Sequence, residues 1–213
     1  MITDERFVAY INSLDAGNPA YLDELEAYAI QTQVPIIRKE MQSFMRTMLL
    51  MNKPKRILEV GTAIGFSALL MSEFMPQDGH ITTIENYEKR IPIARANFQK
   101  YGKEDRITLL EGDAAEVLKT LEGPYDFIFM DAAKGQYIHY LPQIMRILVP
   151  GGVLISDNVM QDGDIIESKY AVTRRDRTIH RRMREYLYTL THHEELQTSI
   201  LTLGDGVAVS VRK

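Results

Sequence analysis

The sequence predicts an α/β fold: a mostly parallel seven-stranded sheet with a C-terminal antiparallel hairpin, helices on both faces and extra N-terminal helices. Three observations support this fold class. From residue 53 onward, short apolar runs alternate with segments of helical periodicity, which is typical of a parallel sheet with helical crossovers. After residue 196, two apolar runs flank Gly204-Asp205-Gly206, which indicates a hairpin. Residues 3–51 show no strand-like alternation and therefore predict helices.

Length and composition favour one domain. A chain of 213 residues, 45% of them hydrophobic, can bury one large core. We expect a single domain over 1–213, with a helical layer at 1–51 and the α/β core at 53–213. No apolar run is long enough to span a bilayer and the N-terminus lacks a targeting signal, so we expect a cytoplasmic protein. The absence of cysteine excludes disulfides, thiolate metal sites and a cysteine nucleophile.

The N-terminal segment predicts two or three helices. In the third, apolar residues recur at helical spacing and form one face. They are Ile36, Ile37, Met41, Phe44, Met45, Met48 and Leu49. The helical layer can pack on the core, cover a ligand or form a dimer surface. Because it can form a dimer surface, we expect a homodimer.

The α/β core is predicted element by element from residue 53. The strands are expected at 57–60, 81–84, 107–110, 127–130, 153–156, 197–203 and 207–211. The intervening helices are expected at 67–75, 87–101, 114–121 and 136–148. Five strands in such a series form parallel pairs through right-handed crossovers. A reversed strand at the end of a parallel sheet is the arrangement of Rossmann-like methyltransferases and differs from the all-parallel dinucleotide fold.

The turn after the first strand, Gly61-Thr62-Ala63-Ile64-Gly65, predicts a nucleotide-binding loop. Glycines allow positive φ and let a ligand approach the backbone. A dinucleotide site requires Gly-x-Gly-x-x-Gly to receive pyrophosphate, and this turn lacks the middle glycine. A ligand without phosphate fits better, and S-adenosylmethionine is such a ligand. Plain strand-to-helix packing is the alternative.

Polar residues end the next two strands, where ligands of open α/β sheets bind. Glu85 lies 24 residues after Gly61, a spacing typical of an acid that binds ribose hydroxyls. Its alternative role is to cap the following helix. Asp113 and Ala114 follow the third strand, where they could reach an adenine edge; an N-cap is the alternative.

The fourth and fifth strands end in a possible metal site. Asp131 follows one strand and Asp157-Asn158 ends the other, and strands paired at about 4.8 Å bring these oxygens together. Two carboxylates and an amide suit Mg²⁺, although Asp and Asn also commonly cap loops. Lys134, three residues beyond Asp131, is a candidate general base or else a solvated surface lysine. The five histidines form no pattern.

Together these motifs resemble the cation-dependent class I S-adenosylmethionine O-methyltransferases, the group that contains catechol and caffeoyl-CoA O-methyltransferases. The matching segments are Glu59–Ser67, Glu85, Gly112-Asp113-Ala114, Asp131–Lys134 and Asp157-Asn158. Within the group, Val34-Pro35-Ile36, Asp131–Tyr137 and Gly204-Asp205-Gly206 most resemble bacterial tRNA 5-hydroxyuridine methyltransferases.

The resemblance implies three sets of site residues. Mg²⁺ would be held by Asp131, Asp157 and Asn158, and Lys134 would be the catalytic base. The site of the cofactor S-adenosylmethionine would be lined by Ile37, Gly61, Ser67, Glu85, Asp113, Ala114 and Asp131.

A basic segment at 168–184 holds seven Lys and Arg residues against one acid, within a chain of net charge −4. Its apolar positions recur at helical spacing, so the arginines should face solvent. Arg174, Arg175 and Arg177 could hold the phosphates of a tRNA anticodon loop, while one base enters the site. The alternative is an ordinary solvated helix face with ion pairs.

These observations lead us to expect Mg²⁺-dependent methylation of 5-hydroxyuridine in the tRNA anticodon loop to 5-methoxyuridine. The alternatives are methylation of a small catechol or a hydroxycinnamoyl-CoA ester, and a non-catalytic RNA-binding module. The incomplete glycine motif and the terminal hairpin disfavour a nicotinamide oxidoreductase.

Overall fold

The computed structural model describes residues 3–213. Met1 and Ile2, which begin the stretch predicted to lack a targeting signal, lie outside the described residues. The chain comprises two compact units: the first is Arg6–Ala114, and the second is Ala115–Lys213 with the residues before Arg6. The single domain expected over 1–213 stays a prediction. Within residues 3–213, no helix is long and apolar enough to cross a membrane.

The elements follow the predicted order. The helices are α1 Glu5–Ser13, α2 Ala20–Gln31, α3 Lys39–Asn52, α4 Phe66–Phe74, α5 Ile91–Lys100, α6 Ala114–Thr120, α7 Tyr137–Ile147 and α8 Arg177–His192. The strands are β1 Arg56–Val60, β2 His80–Glu85, β3 Ile107–Glu111, β4 Tyr125–Met130, β5 Leu148–Asp157, β6 Leu196–Leu201 and β7 Val207–Arg212. Short 3-10 turns occupy Lys134–Gln136 and Gln161–Ile166.

The seven strands form a mixed sheet, which confirms the predicted fold class. The first unit contributes parallel strands in the order β3-β2-β1, and the second contributes β4-β5-β7-β6. β4 and β5 are parallel, whereas β7 runs antiparallel to both β5 and β6. The chain therefore ends in the predicted hairpin.

Apolar periodicity explains what each unit buries. In the first unit, α2 and α3 pack near α4, and Leu22, Met41, Met45 and Leu49 are fully or almost fully buried. Helix α4 is buried along most of its length. Removing such side chains from water at about 25 cal/mol per Å² is the main favourable term in folding. Most of the apolar face predicted before residue 51 is therefore core.

Several boundaries differ from the prediction; α5, for example, begins at Ile91 and not at residue 87. Helix α3 begins at Lys39, so Ile36 and Ile37 lie in an extended segment before it; the buried Gln42 amide donates to the Ile37 carbonyl at 3.0 Å and holds this segment. Strand β5 begins at Leu148, the last residue of a predicted helix, and runs through Pro150-Gly151-Gly152 before the predicted strand start at 153. There a register shift against β4 accommodates the irregular backbone.

Candidate active site

The turn after β1 has the strained backbone that its glycines predict. Gly61 has φ +106° and Gly65 has φ +86°, a region that residues with a Cβ rarely adopt. A Cβ on Gly65 would lie 2.5 Å from the Phe98 ring. The Gly61 amide donates to the Ile84 carbonyl at 3.0 Å. The turn is thus held against the end of β2, and its sharp reversal requires glycine.

Glu85, at the end of β2, is almost fully buried and fixes this turn. One carboxylate oxygen accepts the Ala63 amide at 2.7 Å, and the other accepts the amides of Asn86 and Tyr87, each at 2.9 Å. Ala63 itself has φ +48°. The carboxylate therefore holds both the turn and the segment before α5. It does not cap α5 itself, whose N-cap residue is Arg90. Its role toward ribose stays a prediction.

The other predicted cofactor residues of the first unit differ in exposure. Ile37 and Ser67 are buried, whereas Asp113 is exposed at the end of β3, just before Ala114 begins α6. The Gly112 amide before them donates to the Glu85 carbonyl at 2.9 Å. The backbone therefore ties the ends of β2 and β3 together, as expected of parallel neighbours.

The second unit brings the predicted acidic residues to neighbouring strand ends. β4 and β5 pair in parallel with Met130 opposite Ser156, so Asp131 and Asp157 follow at adjacent positions. Asp157 is buried, and one of its carboxylate oxygens accepts the Asn158 amide at 2.7 Å. Asn158 has φ +57°, so the chain turns sharply directly after the strand.

The two carboxyls disfavour each other's charge. Burial first, and the negative charge of Asp131 second, raise the pKa of Asp157 to about 7. Burial also raises the pKa of Asp131, which the positive charge of Lys134 partly offsets. A bound cation would remove this repulsion, because it favours both charged forms.

The donor set fits Mg²⁺. Residues 3–213 contain no cluster of three or more His, Cys, Asp or Glu side chains able to hold a metal, so a set built on Asp131 and Asp157 would need another oxygen donor, such as the side-chain amide predicted for Asn158. Two carboxylates and one amide supply hard oxygen donors. They leave positions for water and for acceptor oxygens.

Tyr137 is a site residue that the sequence did not reveal. Its side chain is fully buried at the start of α7. Its hydroxyl lies 3.1 Å from the Met130 carbonyl and 3.2 Å from the Asp157 carbonyl, and it accepts the Ala132 amide at 3.2 Å. Burial raises its pKa well above the usual value, so it stays a donor. One hydroxyl thus joins the two strand ends that carry the acids.

Asp205 is the second residue without a predicted role. The sequence placed it in a hairpin turn, between two glycines. In the structure it is 3% exposed, and one carboxylate oxygen lies 3.5 Å from the Nζ of Lys134. Lys134 is therefore not the fully solvated lysine of the alternative interpretation.

The basic segment forms a surface of its own in the second unit. Arg174 and Arg175 are exposed, and within residues 3–213 neither makes a hydrogen bond or ion pair. Arg177 is also exposed, with its Nε 3.4 Å from the Val172 carbonyl. The one ion pair on α8 is Arg181–Glu185 at 3.5 Å, as far as the described chain shows. Ion pairing therefore explains little of this segment.

A cavity of about 520 Å³ lies against the first turns of α8. Its described lining is Lys169, Arg177, Thr178, His180, Arg181 and Arg184. None of these is acidic. His180 is buried, with its Nε2 3.2 Å from the Glu167 carbonyl, and Arg182 donates to the Gly135 carbonyl next to Lys134 at 3.1 Å.

Comparison with known proteins supports the fold and the chemistry. Among curated proteins, a catechol O-methyltransferase of Mycobacterium tuberculosis is 31% identical over 74% of this chain and 73% of its own. A caffeoyl-CoA O-methyltransferase of Populus kitakamiensis is 29% identical over 79% of this chain and 74% of its own.

Solved structures of methyltransferases have the same fold as this chain. The Podospora anserina methyltransferase PaMTH1, bound to SAH, has a TM-score of 0.88 and 31% identity, covering 98% of this chain and 94% of its own. A Staphylococcus aureus protein provisionally named caffeoyl-CoA O-methyltransferase has a TM-score of 0.90 and 29% identity. The match covers 99% of this chain and 100% of that protein's chain. The family model described as O-methyltransferase matches residues 12–213. The chain therefore belongs to the O-methyltransferase family.

Proposed function

We propose that this chain transfers the methyl group of S-adenosylmethionine to one of two adjacent oxygens on an acceptor, with Mg²⁺ held by Asp131, Asp157 and Asn158. The observation that carries this proposal is the pair of acids, Asp131 and the buried Asp157, at neighbouring strand ends, with Lys134 beside the buried carboxylate of Asp205. Relatives named for catechols and a neighbour bound to SAH support it.

The residues divide the reaction between the two units. In the first, the Gly61–Gly65 turn and Glu85 receive the methyl donor; S-adenosylmethionine supplies a methyl group on a sulfonium, from which a neutral thioether leaves. In the second, Lys134 takes the proton from the acceptor hydroxyl. Mg²⁺, when bound, supplies positive charge that favours loss of this proton. Alignment of the acceptor oxygen with the methyl group accounts for much of the rate gain.

The names of the relatives favour a catechol or a hydroxycinnamoyl-CoA ester as the acceptor. Both contain two neighbouring ring oxygens, which the proposed cation can hold together. A free catechol such as 3,4-dihydroxybenzoate is therefore the first acceptor to test.

A specific observation supports a second acceptor, 5-hydroxyuridine in a tRNA anticodon loop. Its 4-oxo and 5-hydroxyl groups are adjacent oxygens, as in a catechol. The exposed Arg174 and Arg175 lack acidic partners in the described chain, and the cavity beside them has a basic lining. Such a surface suits the phosphates of an RNA loop.

One experiment tests the reaction and the acceptor together. Purified protein with S-adenosylmethionine and Mg²⁺ is given either 3,4-dihydroxybenzoate or tRNA containing 5-hydroxyuridine, and the methylated product is measured by mass spectrometry. Addition of EDTA should abolish transfer. Full activity after EDTA treatment would contradict the metal-dependent mechanism.

A charge-reversal variant separates the two acceptors. Replacing Arg174, Arg175 and Arg177 with Glu should reduce transfer to tRNA by at least about 100-fold, since the contacts to phosphate are lost, and should leave the catechol reaction unchanged. Replacing Arg95 with Glu, which removes an exposed ion pair with Glu111 in the other unit, is the matched control. Equal loss with both acceptors would count against RNA binding by these arginines.

We also propose a cytoplasmic homodimer. Helix α1 has no buried residue. Its Phe7, Tyr10 and Ile11, and Leu14 directly after it, are all more than half exposed. An apolar stripe of this kind marks an association surface. Light scattering should give twice the mass of one chain for the wild type. Replacing Ile11 and Leu14 with Glu should reduce the measured mass to that of one chain.

A further inference from the structure

We propose that Asp205 is a positioning residue for methyl transfer, which holds the Lys134 side chain in the place from which its unprotonated amine takes the proton of the acceptor. This inference rests on the proposed role of Lys134. No bond to Asp205 forms or breaks; the proton passes from the acceptor hydroxyl to Nζ, and the carboxylate keeps its charge.

The burial of Asp205 supports this role. Its side chain is 3% exposed, and a buried carboxylate without compensation is unfavourable. Its two oxygens have different partners. One accepts the backbone amide of Asp162, and the other lies 3.5 Å from Lys134 Nζ. Lys134 is the one cation among residues 3–213 shown within ion-pair distance of this carboxylate.

The backbone around Asp205 connects the base to the proposed metal ligands. The Asp205 carbonyl accepts the Met160 amide at 2.9 Å, and the Gly206 carbonyl accepts the Val159 amide at 3.0 Å. These amides directly follow Asp157-Asn158. One turn therefore braces the loop after the metal ligands and also presents a carboxylate to the base.

The glycine after Asp205 allows this close approach. Gly206 has φ +81°, and a Cβ there would lie 2.3 Å from a Met160 side-chain carbon. The turn can approach the 159–162 loop only because this position lacks a side chain. The position of Asp205 is thus determined by backbone packing and does not depend on Lys134.

The arrangement resembles the acid that orients the base in a nucleophile–base–acid triad, where the carboxylate stabilises the protonated base without taking the proton. A neutral amide at 205 would still accept the Asp162 amide. It would lose the negative charge that attracts the Lys134 side chain. Asp205→Asn therefore separates the effect on Lys134 from the effect on the loop.

The test is a double-mutant cycle on the full chain. We measure kcat for 3,4-dihydroxybenzoate and for tRNA containing 5-hydroxyuridine, with saturating S-adenosylmethionine and Mg²⁺. Asp205→Asn should lower kcat about 10- to 100-fold, within the range of general-base effects, and leave the Kd for S-adenosylmethionine unchanged. In the Lys134→Ala background it should have no further effect. An equal loss in both backgrounds would show a merely structural role and overturn the proposal.

Two variants control for folding. Asp205→Ala removes both contacts and should lower Tm more than Asp205→Asn does. Asp78→Asn, which removes an exposed ion pair with Lys55 in the other unit, should change neither kcat nor Tm. If Asp205→Asn lowers Tm as much as Asp205→Ala while kcat per folded molecule is unchanged, Asp205 acts on the loop alone and the proposal is wrong.

A measurement without turnover distinguishes failure of this inference from failure of the proposed function. Brief acetylation with acetic anhydride, read by mass spectrometry, reports the reactivity of each lysine relative to the exposed Lys89. Asp205→Asn should change the reactivity of Lys134 several-fold, because the side chain loses the contact that holds it in place. Unchanged reactivity would refute the pairing, whereas absence of any methylated product in the wild type would refute the proposed function instead.

Discussion

The two units differ in how they satisfy the charged groups among their proposed site residues. In the first unit, both oxygens of Glu85 accept backbone amides, so the acid stabilises the turn before any ligand arrives. In the second, Asp131 and Asp157 repel each other and Asp205 adds a third negative charge that also raises the pKa of Asp157. Glu85 is therefore fully hydrogen-bonded without a ligand, whereas the acids of the second unit would gain a compensating positive charge from the proposed cation.

Stability is exchanged for function at the acidic residues of the second unit. Rigid binding of a methyl donor needs a turn held by hydrogen bonds, and strain in its glycines is offset locally. Binding of a divalent cation needs carboxylates kept close together, which destabilises the protein without the metal. Three variants and one pH dependence test this difference between the two units.

The strongest test removes one acid of the second unit. Asp157→Asn should lower kcat at least about 1000-fold, since Mg²⁺ loses a charged ligand, and should raise the Tm of the metal-free protein because repulsion with Asp131 disappears. Activity assays and calorimetry in EDTA measure both effects. A variant with lower Tm in EDTA would contradict the proposed charge repulsion.

The matching test in the first unit breaks the preformed turn. Gly65→Ala forces a Cβ to within 2.5 Å of the Phe98 ring at a φ of +86°, and should destabilise the protein by about 2–3 kcal/mol through overpacking and strain. Urea denaturation measures the loss. Gly102→Ala is the control, because its φ is also positive, at +61°, and its Cβ would meet no atom within 4 Å. Equal losses would mean that only backbone strain matters.

A smaller effect is expected from the hydroxyl that joins the two acidic strand ends. Tyr137→Phe keeps the ring and its edge contact with Tyr186, whose centroid is 5.5 Å away. It should weaken Mg²⁺ binding about 10-fold, as is typical when a group that orients metal ligands is lost. Titration calorimetry with Mg²⁺ measures this. Unchanged affinity would show that α7 packing alone orients Asp131 and Asp157.

The smallest effect is a pH dependence confined to the second unit. The folded-state pKa of Asp157, about 7, lies above its ordinary value of about 3.9, so its ionisation is less favourable in the fold. The resulting stability is present below about pH 4 and lost as the pH rises toward 7. In EDTA, Tm should therefore fall over this range, and less so in Asp157→Asn. Mg²⁺ should raise Tm more at pH 8 than at pH 5, and equal increases would contradict this.

The order of elements could be predicted from the sequence, because helices and strands have different hydrophobic periods and each apolar run is local. The identity of the acids at the ends of β4 and β5 could be predicted for the same reason. The start of α3 at Lys39 and the extension of β5 back to Leu148 could not, since they depend on the Gln42 side chain and on pairing with β4.

By itself, therefore, the sequence determined the fold class, the strained glycine turn and the donor chemistry of the proposed metal site, all of which follow from residue types at short spacings. Only the tertiary structure decided that Tyr137 joins Met130 to Asp157 and that Asp205 meets Lys134. The first contact depends on the parallel pairing of β4 with β5. The second depends on the antiparallel pairing of β7 with β5, with Val207 opposite Asp157, and such long-range pairing has no local signal in the chain.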